Sequence, residues 1–174
     1  MVPGWPRGFA LDHPDRTQKI ILQSPAGLIA TASNMARIRA ERTAAVENPT
    51  WDSIKAMFDH LIADEENRIP DIIALRQAIY QMPATRDTID HVLILQDPEA
   101  RERNLLAEEQ WAAITAPTLV VSSGKDHSEY MNTAQQVARL IPDSEVVEMA
   151  QVRHWPAFED PETFNAAALR FLRG

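Results

Sequence analysis

Thr118-Leu119-Val120-Val121-Ser122-Ser123, running into Gly124-Lys125-Asp126, is short, apolar and rich in β-branched residues, and a glycine turn ends it. That pattern belongs to a strand buried on both faces, as in a parallel sheet. Downstream, the apolar spacing predicts a helix over Asn132 to Ile141 (Ala134, Val137, Ala138, Ile141), stopped by Pro142-Asp143. A strand over Glu145 to Met149 follows, then a loop with His154, then a closing helix carrying Phe164, Ala168, Phe171 and Leu172. Strands alternating with helices imply a parallel sheet covered on both faces, joined by right-handed crossovers.

Upstream of Pro117 the period changes. From about Leu28 to Leu106 no strand-like run bounded by turns occurs, and the segment reads as helical. Asn48-Pro49-Thr50 supplies an N-cap, after which Ile54, Met57, Phe58, Leu61 and Ile62 recur on one helical face. Pro70 suits a first helical position and introduces Ile72, Ile73, Arg76, Ile79 and Tyr80; Met82-Pro83 ends that helix, and Thr85 or Asp87 starts the next. Ahead of this region, Lys19 to Gln23 reads as a buried strand and Phe9 to His13 as the last turns of a helix stopped by Pro14. The first eight residues, with two prolines and two glycines, read as coil.

Composition narrows the chemistry. The 174 residues carry a net charge of −8, which opposes nucleic-acid and anionic-membrane partners. With no cysteine there are no disulfides, thiolate metal sites or cysteine nucleophile. The histidines show no metal-ligand spacing, and neither a membrane span nor a signal pattern is present, so a cytoplasmic protein without a metal or organic cofactor is expected. Only 5 glycines stand against 12 prolines, few for a fold that places glycine in its strand-to-helix turns.

Reactive groups of open parallel sheets gather beyond the carboxyl ends of strands. Asp126 lies three residues past Ser123 and His154 five past Met149, so neighbouring strands would deliver both to one edge. A carboxylate there would fix the imidazole tautomer and leave its other nitrogen to accept a proton. On the residues alone, Asp126 can equally be a turn former and His154 an ordinary loop histidine.

Ala116-Pro117-Thr118-Leu119-Val120-Val121, Gly124-Lys125-Asp126, Ile141-Pro142-Asp143-Ser144 and His154-Trp155-Pro156-Ala157-Phe158-Glu159-Asp160-Pro161-Glu162-Thr163-Phe164 together resemble the C-terminal third of α/β-hydrolases. The His-Trp pair is most similar to that of the meta-cleavage product hydrolases, which cut carbon-carbon bonds in ring-opened aromatic compounds. Phe9-Ala10-Leu11-Asp12-His13-Pro14-Asp15-Arg16 and Ile20-Ile21-Leu22-Gln23-Ser24-Pro25-Ala26-Gly27-Leu28 extend the resemblance upstream. It implies the C-terminal part of an α/β-hydrolase parallel sheet with an inserted helical lid: partial core over 1–27, lid over 28–107 and C-terminal core over 108–174. It also implies Asp126 and His154 as acid and base, Arg76 facing a substrate's dienolate end, and Trp155 lining that pocket. The implied partner is a small dienoate acid. Ester, epoxide and haloalkane hydrolases are the nearest enzymatic alternatives on this fold.

The family's serine sits on a Gly-x-Ser-x-Gly turn, whose glycines allow the strained backbone that exposes the hydroxyl. No such stretch occurs among serines 24, 33, 53, 122, 123, 128 and 144. Counting back from His13-Pro14-Asp15-Arg16 along the family's pattern, Met1 falls just after the serine's expected place. The expectation is thus an N-terminally truncated member, from an internal start, a disrupted gene or an incomplete sequence, with little or no activity of its own. A catalytically inactive remnant or self-association module is the alternative, since exposed sheet edges and apolar lid faces would favour a homo-oligomer.

Overall fold

The computed structural model describes residues 6–174, so the coil expected for the first five residues lies outside them. The chain divides into two compact units, one made of 1–29 and 106–174 and the other of 30–105.

The first unit is built on three parallel strands in the order β1-β2-β3: β1 Ile20–Gln23, β2 Thr118–Ser123 and β3 Ser144–Met149. Ile20 pairs with Thr118, which pairs with Ser144, so the three strands start level, and β2 and β3 also finish together at Ser123 and Met149. Every residue of the central β2 is buried. Because strand side chains alternate, Ile20, Leu22 and Val120 join Ala10, Trp111, Ile114, Val137 and Ile141 on one face. Ile21, Leu119, Val121 and Val147 pack with Phe164 and Phe171 on the other. The helices covering these faces are α1 Pro6–Asp12, α7 Glu108–Ala112, α8 Ser128–Leu140, α9 Pro156–Glu159 and α10 Pro161–Arg173. Where the second unit is inserted, the Leu106 N–H donates to the Gly27 carbonyl at 2.8 Å, and Gly27 takes a φ of 101° that a side chain would strain.

The second unit is helical throughout: α2 Ala32–Glu47, α3 Trp51–Asp59, α4 Pro70–Tyr80, α5 Pro83–Val92 and α6 Pro98–Glu102. Thr50 caps α3 by accepting the Ser53 N–H at 3.2 Å. The apolar stripe of α3 makes the core, with Ile54, Met57 and Phe58 buried beside Ile62, Ile73 and Tyr80.

Strands β1 and β3 start within one residue of the expected positions, and three helix starts differ from the sequence reading. Helix α1 begins at Pro6, within the segment read as coil, and α5 begins at Pro83 instead of Thr85 or Asp87. In both, proline takes the first helical position, where its missing N–H has no partner to lose. Helix α8 begins at Ser128, four residues before Asn132, because its cap is the ring of His127, whose Nδ1 accepts the Glu129 N–H at 3.2 Å. Histidine is not a residue type from which a helix start is ordinarily read. No helix among the described residues is long and apolar enough to cross a membrane.

Candidate active site

The carboxyl ends of β2 and β3 place two loops in contact. The Gly124 N–H donates to the Met149 carbonyl at 3.0 Å and the Lys125 N–H to the Val152 carbonyl at 3.0 Å. A Cβ on Gly124 would stand 2.7 Å from both Cα and O of Ala150, so only glycine lets the loops cross this closely.

Beyond that crossing, Asp126 Oδ2 lies 2.9 Å from His154 Nδ1. The Asp126 side chain is 2% exposed and that of His154 28%. The other carboxylate oxygen accepts the His127 N–H at 2.7 Å. A buried carboxylate is satisfied only by donors, so this contact selects the imidazole tautomer with the proton on Nδ1. Nε2 then carries a lone pair able to accept a proton from a hydroxyl or from water.

Glu159 holds the histidine loop from both sides of His154. Its Oε1 accepts the Arg153 N–H at 2.9 Å and the Trp155 N–H at 3.3 Å. Sequence reasoning assigned this residue no role; the only signal was its place five residues after His154. Trp155 is half-buried, its ring packed edge-on against Phe158 with centroids 6.0 Å apart. Three further neighbours were also missed. Tyr130 packs its ring on His154, and Ser24 and Ser123 form a buried hydroxyl pair 3.1 Å apart at the ends of β1 and β2. Ser24 holds a φ of 41°, a left-handed conformation uncommon without glycine. The sequence marked it as part of a turn, but its pairing partner is 99 residues away.

Arg76 belongs to the helical unit. On α4 its guanidinium carbon stands 5.7 Å from the Tyr80 ring centre and 6.0 Å from that of Phe58. Among the described residues it makes no ion pair or hydrogen bond, leaving the donors of a half-buried guanidinium available to an anion.

No cluster of metal-ligand residues occurs among the described residues. A cleft of about 480 Å³, lined by Arg16, Lys19, Ile20, Ile21 and Leu172 among others, lies at the amino end of β1, at the opposite end of the strand from the Asp-His pair. Hydrogen bonds from Thr163 to Asp160, the cap of α10, hold its carboxyl below the usual carboxylate range.

The alpha/beta hydrolase family matches residues 4–167, and the chain belongs to that family. It is 26% identical over 178 residues to the 2-hydroxy-6-oxononadienedioate/2-hydroxy-6-oxononatrienedioate hydrolase of Comamonas testosteroni, with 94% of this chain and 57% of that protein covered. It is equally 26% identical over 178 residues to the 2-hydroxy-6-oxo-6-phenylhexa-2,4-dienoate hydrolase of Delftia acidovorans, with the same coverage. The chain therefore spans a little over half the length of the curated relatives it matches. In three dimensions it superposes on the meta-cleavage product hydrolase of Pseudomonas fluorescens IP01 with a TM-score of 0.77 at 16% identity, covering 96% of this chain and 60% of that one. The 2-hydroxy-6-oxo-6-phenylhexa-2,4-dienoate hydrolase of a Rhodococcus strain gives a TM-score of 0.78 at 18% identity, covering 95% and 58%. At these identities the structural likeness is one of fold.

Proposed function

We propose that this chain carries the acid and base of a hydrolase that cleaves a carbon-carbon bond in ring-opened aromatic dienoates. The observation that carries the reading is the Asp126–His154 contact of 2.9 Å at the carboxyl ends of adjacent parallel strands. In this role Asp126 holds the Nδ1–H tautomer and stabilises the imidazolium. Nε2 of His154 takes the proton from a serine hydroxyl or water, whose oxygen attacks the substrate carbonyl. A proton is first shifted to the dienolate carbon; after the attack the carbon-carbon bond breaks, its electrons pass into the conjugated ketone, and the proton taken by His154 is returned to give a hydroxypentadienoate. Attack by water leaves a carboxylic acid directly, whereas attack by serine leaves an acyl ester that a water molecule then hydrolyses. Arg76 binds the anionic end, in keeping with its lack of a carboxylate partner among the described residues, and Trp155 serves as a further substrate-binding residue. The names of the curated relatives support this substrate class over esters, epoxides and haloalkanes.

No Gly-x-Ser-x-Gly stretch lies within the 174 residues. A serine attack would need a hydroxyl from outside them, so the purified 174-residue chain should bind a dienoate but turn it over at or near background, since loss of nucleophile and oxyanion donors costs many orders of magnitude. The test follows the visible absorbance of 2-hydroxy-6-oxo-6-phenylhexa-2,4-dienoate. Saturable binding that weakens roughly 10- to 100-fold in Arg76→Gln is the expected result. Absence of binding would overturn the substrate class, and rapid turnover that disappears in His154→Ala would overturn the expected inactivity while establishing the base.

A further inference from the structure

The hydrogen bond from His154 to Asp126 restrains only one edge of the imidazole. A ring held at Nδ1 alone still swings about the Nδ1···Oδ2 line, and each swing moves Nε2, the nitrogen that has to meet the substrate. The His154 side chain is 28% exposed, so part of the ring faces open space. The Tyr130 ring lies against it, with centroids 4.5 Å apart and planes tilted by 53°. That separation is at the close limit for interacting aromatic rings.

Tyr130 and Asp126 are not independent. Both are tied to the backbone of His127, whose N–H donates to Asp126 Oδ1 at 2.7 Å and whose carbonyl accepts the Tyr130 N–H at 2.9 Å. The His127 ring closes the same turn by capping α8 through Nδ1, and the Tyr130 ring stands edge-on to it at 6.3 Å. The turn that leads into α8 therefore offers the imidazole a carboxylate and a ring contact from one continuous stretch of hydrogen-bonded backbone.

The geometry points to Tyr130 as a positioning residue for His154, fixing the plane of the imidazole while Asp126 fixes its tautomer. This rests on the reading of His154 as the base. The contact is made by the ring, so Tyr130→Phe keeps the function and Tyr130→Leu loses it.

Nuclear magnetic resonance on the full 174-residue chain, labelled with ¹⁵N in its histidines, tests this without requiring turnover. The unmodified chain should show nuclear Overhauser contacts between the Tyr130 ring and the His154 ring protons, with the latter shifted by the aromatic ring current, and ¹⁵N shifts of the Nδ1–H tautomer. Tyr130→Phe should preserve all three. Tyr130→Leu should abolish the ring-current shift and lower the ratio of the Nδ1–H tautomer to the other roughly two- to twelve-fold, the loss that a ring contact of ordinary strength implies. His127→Ala should move the same signals in the same direction by loosening the turn while leaving both rings in place. Absence of the Tyr130–His154 contacts in the unmodified chain, a test that needs no variant to fold, overturns the proposal. Unchanged His154 signals in a folded Tyr130→Leu overturn it as well, while leaving the base assignment standing. A ring contact that is present beside an Nε2–H tautomer overturns the base assignment itself.

Discussion

Two candidate groups, the Asp126–His154 pair and Arg76, sit in different units and are held by different forces. The pair rests on strand ends in parallel register, on a glycine crossing with no room for a side chain, and on hydrogen bonds accepted by Glu159 and donated by the His127 N–H. Arg76 is flanked by two aromatic rings near 6 Å and has neither hydrogen bond nor ion pair among the described residues. Proton transfer needs a geometry accurate to a fraction of an ångström, which the pair receives from backbone. Charge attraction to an anion tolerates looser positioning, and a guanidinium already paired to a carboxylate would have to give that partner up before binding one.

The contrast can be broken in stages. Phe58, 1% exposed, supports both the helical core and one side of Arg76. Phe58→Ala should destabilise the chain by about 3–5 kcal/mol in chemical denaturation, the largest effect expected here. A cost below about 1 kcal/mol would mean that this core is not packed in solution. Gly124→Ala drives a methyl into the Ala150 backbone and should cost about 1–3 kcal/mol by the same measurement while eroding the Nδ1–H tautomer of His154. Retention of that tautomer at full stability would show that the loop crossing does not set the pair. Arg76→Gln should change stability by less than about 1 kcal/mol, because only ring contacts are lost. A cost of several kcal/mol would reveal a hidden ionic partner and remove the argument for an open anion site.

The smallest effect concerns pH. Hydrogen bonds from Thr163 lower the Asp160 pKa in the folded chain below the ordinary aspartate value, so the cap on α10 stabilises the fold above that value and loses its contribution as pH falls through the lower, folded one. Asp160→Asn, an uncharged acceptor, should flatten the dependence of unfolding on pH in the acid range below about 4, as read by denaturation at a series of pH values. An identical acid profile in the variant would show that the cap is not ionic.

Much of the fold could be read along the chain because its determinants are local. Buried runs such as Thr118 to Ser123, caps such as Thr50 and first-turn prolines such as Pro70 act within a few residues. Misplaced starts arose where a helix used an unfamiliar device: a histidine ring as cap for α8, and prolines read as stops that open α1 and α5. In the site, the loop positions of Asp126 and His154 followed from strand-end topology. Glu159, Tyr130 and the Ser24–Ser123 pair carried no such signal, since what they touch depends on how loops fold back and on which strands become neighbours.

By itself, then, the sequence determined a parallel α/β unit interrupted by a helical insertion, an acidic surface, the absence of any Gly-x-Ser-x-Gly turn, and the loops on which an acid and a base would sit. These follow from periodicity, charge and spacing, which are properties of the chain taken in order. Only the tertiary structure decided that Asp126 reaches His154 through Nδ1, that Glu159 braces the histidine loop on both sides, and that Tyr130 lies on the imidazole. Those contacts join residues whose separation along the chain says nothing of their distance in space, and a hydrogen bond or ring contact exists only within a few ångströms.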